Sequence, residues 1–265
     1  MQEGFHKGGF NLYLHPHLGL GDAFHINGIV RTFVESKKWS TIFLFTSVKY
    51  QEQVDWMFRD LPEVTTIPIE SRQDADKVAE SHCPPSEYMM VGYSNYGVNC
   101  PTGPDGRCEL PWTCDEKFYR QLNIPYDVRF DKCWWERDKG REQAAYDALA
   151  GGRKEYIFVH DAPELDFNID MTKVRSDLPI IRNDVSRPVF DMCMLIENAT
   201  EVHVMESSVR CMMESLNLEG VDLYYHSIRG GLTKNADGSI RGTQLNWNYI
   251  DYGLEFDKPI DDPEK

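Results

Sequence analysis

The stretch HPHLGLGDAFHINGIVRTF (residues 15–33) places a carboxylate, Asp22, directly after two glycines, Gly19 and Gly21, and three residues before His25. A carboxylate within reach of a substrate hydroxyl can take its proton, and a glycine-rich turn lets chain and substrate come close. An aspartate at the start of a helix is equally a good N-cap, so the spacing leaves two readings of Asp22, base or cap. Two phosphate-binding patterns fail at this turn. The chain has no G-x4-G-K-[ST] string, and a G-x-G-x-x-G pattern beginning at Gly19 needs glycine at position 24, where Phe24 stands. A carboxylate on that helix end would also repel a phosphate. The turn therefore reads as a place for an acceptor hydroxyl, with Asp22 as its general base and His25, one turn on, placed to orient Asp22 or touch the acceptor.

A second group of residues has the complementary character. After EVHVME (201–206) come Ser207 and Ser208, opening a helical pattern, so backbone N–H groups and two hydroxyls converge where a diphosphate can rest. The plain alternative is that Ser207 is an N-cap. Glu206 is awkward for an anion but suits sugar or ribose hydroxyls. Arg182 and Arg210 are the nearest candidates to neutralise phosphate charge, and a solvated arginine is the alternative for each. His160 and Asp161 end the run EYIFVHD and fall on the same side; a lone histidine there is either structural or a donor contact.

The elements that must carry these residues alternate. FNLYLHPH (10–17), TIFLFTSV (41–48), VTTIPI (64–69) and EYMMVGY (87–93) read as strands. Helical patterns separate them, the first with Ala23, Phe24, Ile26, Ile29, Val30, Phe33 and Val34 on one face. A Gly/Pro/Cys-rich loop is expected over 95–115, then helices over 115–124 and 130–152. Gly151-Gly152 ends the latter and is the expected domain boundary. Strands over 155–161, 178–184, 201–206 and 221–226, with helices over 188–199 and 207–218, form a second alternating set. This is an α/β chain of two Rossmann-like lobes with parallel sheets, residues 1–152 and 153–265, with a cleft between them. The aromatic segment from 243 onward reads as helical and is expected to pack back on the first lobe.

Composition narrows the partners. Of the 265 residues 41% are hydrophobic and the formal net charge is −15, so the global field disfavours nucleic acid and anionic membrane. No uninterrupted apolar run reaches the length of a membrane span, and MQEGFHKGGFNLYLH lacks a signal-peptide layout, so a cytoplasmic location is expected. The odd number of cysteines, seven, fits reduced thiols. Cys83, Cys100, Cys108 and Cys114 are separated by sixteen, seven and five residues, which is not a zinc spacing, and no metal is expected there. Asn198-Ala-Thr200 matches a glycosylation sequon but reads as an Asn near a helix end.

GLGDAFHINGIVR resembles the first strand-turn-helix of heptosyltransferase-like GT-B glycosyltransferases, with their Gly-Asp-x-x-His pattern at Gly21, Asp22 and His25. LIENATEVHVMESSVRCMMESLNL is similar to their second-lobe helix, strand and hydroxyl-bearing turn. The chain departs from the pattern at Ile26-Asn27-Gly28, where the family has a proline-containing helix start. It departs again at Glu206-Ser207-Ser208, where the family often has Asp-Thr/Ser-Gly. The resemblance implies Asp22 as catalytic base and Ser207 and Ser208 on the donor phosphates. It also implies a nucleotide-sugar donor in the C-terminal lobe, a glycan or glycoconjugate acceptor in the N-terminal lobe, inverting transfer, and no required metal or other cofactor. The alternatives are a nucleotide-cofactor oxidoreductase, disfavoured by the failed fingerprint, and a non-catalytic nucleotide- or carbohydrate-binding module.

Overall fold

Runs such as IFLF (42–45) and IFV (157–159), apolar on both faces, suit strands covered on both sides, and that is how the chain uses them. A computed structural model describes residues 10–81, 86–92, 113–175, 177–229, 232, 234 and 238–253. The chain forms two compact α/β units that divide between Glu136 and Arg137.

The first unit holds β1 (Phe10–His15), α1 (Leu20–Ser36), β2 (Trp39–Ser47), α2 (Gln51–Met57), β3 (Val64–Ile69), α3 (Arg72–Ser81), β4 (Ser86–Met90), α4 (Cys114–Gln121) and α5 (Val128–Asp131). Its strands pair in parallel in the order β3-β2-β1-β4. Leu12, Leu14, Phe24, Ile26, Ile29 and Val30 are fully buried between the sheet and α1. The opposite face of α1 is covered as well, since His25, Asn27, Gly28 and Arg31 are buried. Gly28 makes this possible: a β-carbon there would collide with the Val128 carbonyl of α5 and lie 2.9 Å from the Tyr119 hydroxyl of α4. Arg31 is neutralised by Asp60 at 2.8 Å and lies 3.5 Å from the centre of the Trp134 ring.

The second unit holds α6 (Lys139–Ala150), β5 (Ile157–His160), β6 (Ile180–Arg182), α7 (Cys193–Glu197), β7 (Glu201–Val204), α8 (Ser208–Met213), β8 (Asp222–His226) and β9 (Trp247–Ile250). All its strand pairs are parallel, in the order β6-β5-β7-β8-β9.

Three expectations are corrected. The helix expected over 130–152 is two pieces, because Cys133-Trp134-Trp135 leaves the helical path to seal α1: the Cys133 thiol reaches the Phe24 carbonyl, and the Trp134 carbonyl accepts from Asn27 and Arg31. The boundary lies at Glu136/Arg137, not at Gly151-Gly152. Gly151 does stop α6 in the left-handed region (φ 57°), but the helix is tied to the second unit by Arg137, which bridges Glu142 and Glu197, and by Arg141 on Asp191. A helix stop marks the end of an element and not of a domain. Finally, the described part of the segment from 243 onward is no helix; Trp247–Ile250 adds a parallel edge strand to the second sheet, where Trp247 is buried. Among the described residues, no helix is long and apolar enough to cross a membrane.

Candidate functional site

In an open parallel sheet the crevice for a ligand opens at the carboxyl ends of strands, where the strand order reverses. In the first sheet that place is between β1 and β4. The chain leaves β1 through Pro16 and His17 and enters α1 at Leu20, and it leaves β4 through Gly92. The His17 ring stands edge-on to Phe118 of α4, with centroids 5.3 Å apart. Its Nε2 lies 3.0 Å from where a β-carbon on Gly92 would sit, and Gly92 has φ 91°, so only glycine fits this corner. The other nitrogen, Nδ1, faces Asp22 Oδ1 at 3.8 Å.

Asp22 is not the N-cap of α1; Gly19 is, and Asp22 is the third helical residue. Its carboxylate folds back over the cap, with Oδ2 2.6 Å from the position of a β-carbon on Gly19. An acidic residue at this third position commonly reaches back toward the cap, where the helix end favours negative charge. The side chain stays 26% exposed, so it serves the helix end and still meets solvent. Gly21 lies beside it in the first turn. Cys114, the first residue of α4, brings its Sγ to the same place: one donor atom each from His17, Asp22 and Cys114 lie within 4.8 Å of one another.

His25 is engaged elsewhere. Its Nδ1 accepts from Arg129 Nε at 3.0 Å and stands 3.5 Å from Asp115 Oδ2, while its carbonyl accepts from the Tyr119 hydroxyl. The Tyr126 hydroxyl donates to Asp115 at 2.8 Å. Burial works to raise the Asp115 pKa, yet the neighbouring His25 and Arg129, with hydrogen bonds from Thr113 and Tyr126, outweigh it and hold the carboxyl down at about 2. His25 therefore belongs to a buried ionic cluster that fastens α1 to α4 and α5, and the imidazole beside the Asp22 carboxylate is that of His17.

In the second sheet the strand order reverses between β5 and β7. His160 ends β5 and is buried, with no hydrogen-bond partner for Nδ1 among the described residues. Burial depresses its pKa to about 4 against the opposing pull of Asp161 and Glu164, so the ring is neutral at pH 7. Asp161 accepts from the Ile169 N–H and from Arg182 at 2.7 Å. Arg182 is thus tethered yet about half exposed (47%).

Across from it, Ser207 is the N-cap of α8, accepting from the Arg210 N–H at 3.3 Å, and Ser208 opens the helix. Arg210 does not face outward as a phosphate ligand: it is buried, bonded to Glu206 at 2.6 Å and 3.6 Å from Glu214, so two carboxylates offset its charge. Glu206 also receives the Tyr225 hydroxyl at 3.4 Å. The order of these groups leaves Arg182 as the exposed cation among the expected donor residues.

No family model matches the chain, and no curated protein matches it. Among solved structures, it is similar to a glycosyl transferase family 9 protein from Veillonella parvula DSM 2008, at 8% identity and a TM-score of 0.47, over 82% of this chain and 80% of that one. It is also similar to the ADP-heptose LPS heptosyltransferase II of E. coli, at 8% identity and a TM-score of 0.43, over 82% and 84% of the two chains. At this identity and with TM-scores under 0.5, neither likeness bears on activity.

The residue that sequence reasoning passed over is His17. Its signal was present in its place, two residues past β1 and directly ahead of the glycine turn. Cys114 stood out in the sequence only as one of four loop cysteines; Cys83, Cys100 and Cys108 lie outside the described residues, and Cys114 is exposed.

A second buried histidine system crosses the second sheet, starting at Glu201, the first residue of β7. His203 Nε2 is 3.3 Å from Glu201, His203 Nδ1 is 2.9 Å from His226 Nε2, and His226 Nδ1 is 2.8 Å from the Tyr252 hydroxyl, which accepts from the Asp170 N–H at 3.0 Å. One proton arrangement satisfies every atom. Tyr252 donates to His226, His226 to His203 and His203 to Glu201, with both rings neutral. Burial lowers the pKa of both, that of His226 to about 3.

Proposed function

We propose that the chain is a GT-B type glycosyltransferase that moves a sugar from a nucleotide-diphosphate sugar to an acceptor hydroxyl of a glycan or glycoconjugate, with inversion and without a required metal. The observation that carries this reading is the Asp22 carboxylate, set at the strand-order reversal of the first sheet, folded over Gly19 and open to solvent. Asp22 takes the proton of the acceptor hydroxyl as its oxygen attacks the anomeric carbon and the bond to the nucleoside diphosphate breaks. His17 sits beside the carboxylate and fixes the direction from which the hydroxyl is received.

The donor falls to the second unit. There the Ser207–Ser208 helix start and the exposed Arg182 offer N–H groups, hydroxyls and one cation to a diphosphate, with His160 as an uncharged donor contact. Glu206, already paired with Arg210, is left to shape the turn. Leaving-group stabilisation of this kind, together with one base, is sufficient for a transition state with oxocarbenium character. A cytoplasmic site of action goes with this reading.

A panel of nucleotide sugars tests it without knowledge of the acceptor, because slow hydrolysis of one donor identifies it. Hydrolysis or saturable binding of one nucleotide sugar is expected. Thermal stabilisation by NAD(P), with none by any nucleoside diphosphate, would replace this reading with the oxidoreductase one; saturable binding with no turnover would replace it with a binding module.

A further inference from the structure

The transfer reaction proposed above uses Asp22 and the His17 ring beside it, and it leaves the third donor group that meets them after β1, Cys114, without a role. His17 brings a ring nitrogen, Asp22 a carboxylate oxygen and Cys114 a sulfur, all within 4.8 Å of one another. We infer that these three side chains form a binding site for a divalent cation of the zinc class, with three ligands among the described residues.

The donor set argues for that class. A thiolate beside an imidazole and a carboxylate suits zinc, whereas magnesium and calcium take oxygen alone. Zinc bonds of about 2.0–2.3 Å put tetrahedral ligands roughly 3.3–3.8 Å apart. His17 Nδ1 and Asp22 Oδ1 already stand at 3.8 Å, so closing the site asks only for side-chain rotation.

Each ligand rests on a separate support. The His17 ring is held by Phe118 on its edge and by the Gly92 corner at Nε2, which leaves Nδ1 to face the site. Asp22 is fixed in the first turn of α1, and Cys114 opens α4, an eight-residue helix whose N-terminus favours negative charge on the sulfur. The ligands come from three places in the chain, so no short spacing motif announces them.

Ligation exchanges the Cys114 S–H bond for an S–metal bond and releases the proton to solvent; no electron moves. A consequence follows that rests on the base role of Asp22. A cation on the carboxylate occupies the lone pair that would accept the acceptor's proton, so the metal-loaded protein is inactive and a chelator restores it. Binding itself does not depend on that role.

Cobalt(II) is the probe, titrated into the full chain and followed by the thiolate-to-cobalt charge-transfer absorption. One equivalent is expected to give the band in the wild type. Cys114→Ser is expected to abolish it, and His17→Gln to weaken binding about tenfold or more, with melting temperatures close to wild type. No band in the wild type, or a band unchanged in both variants, overturns the site. A second measurement holds even if a variant folds poorly: zinc should slow alkylation of Cys114 in the wild type about tenfold, read by peptide mass spectrometry, and an unchanged rate overturns the site. Zinc that binds in these tests yet leaves sugar transfer unaffected overturns the base role of Asp22 and leaves the site standing.

Discussion

The Asp22 carboxylate occupies the space that a side chain on Gly19 would need, with Oδ2 2.6 Å from the β-carbon position. Gly19 itself has φ −70° and ψ 148°, a backbone that any residue adopts, so glycine is required there by the carboxylate and not by the turn. Gly19→Ala is therefore expected to leave the fold intact, with a melting temperature equal to or slightly above wild type, since alanine restricts the unfolded chain by about 0.4–1 kcal/mol. Transfer should fall about 100-fold, the cost of moving a catalytic group by about an ångström. Calorimetry and a donor-turnover assay on the same sample check both halves.

Gly28→Ala should do the opposite. Helix propensity alone favours alanine by about 1 kcal/mol, but the added carbon meets the Val128 carbonyl, a backbone atom that cannot swing aside. Destabilisation by about 1–3 kcal/mol is expected, from overpacking between α1 and α5. Urea titration of the first unit's transition reads it. A stabilised variant would contradict the packing described here.

The buried Asp115 cluster predicts acid sensitivity in the first unit. Its carboxyl pKa is lowered from 3.8 to about 2 in the folded chain, so the stabilisation it gives is complete above about pH 4 and is lost as the pH falls through 2. That loss is about 2 kcal/mol. Asp115→Asn removes the charge that faces Arg129 and His25 and should destabilise by about 3–5 kcal/mol at pH 7, since a buried cation is left without its partner.

The second unit should weaken earlier on acidification. His160 and His226 have folded pKa values of about 4 and about 3, below the usual 6.5. Between those values and 6.5 the unfolded chain binds protons that the folded chain refuses, so stability falls as the pH drops below about 6.5. Each ring contributes up to about 1.4 kcal/mol per pH unit. In His226→Gln the slope between pH 6 and 5 should fall by about one proton. Stability independent of pH across 5–7 would contradict two neutral buried rings.

Much of the fold was legible, because buried parallel strands are apolar on both faces and helices alternate with them at a length that forces crossovers. What was not legible depends on contacts distant in sequence. His25 reads as a neighbour of Asp22 until Asp115 and Arg129, about a hundred residues on, are known to hold it, and the same is true of the Trp134 carbonyl that covers Asn27 and Arg31. The residues 243–253 were misread for a related reason. A short aromatic segment has no period of its own, and it is the open edge of β8 that makes 247–250 a strand. In the candidate site, Asp22 was visible from its turn, whereas His17 and Cys114 become its neighbours only when β1 and α4 are brought together.

The central claim is that Asp22 removes the acceptor's proton while the second unit holds the donor. Its most direct test is Asp22→Asn, which keeps the shape of the side chain and removes its basicity, measured for sugar transfer and for donor affinity on the same preparation. Transfer lowered by about 100-fold or more with unchanged donor affinity is the result expected. Near-normal transfer by the folded variant would contradict it.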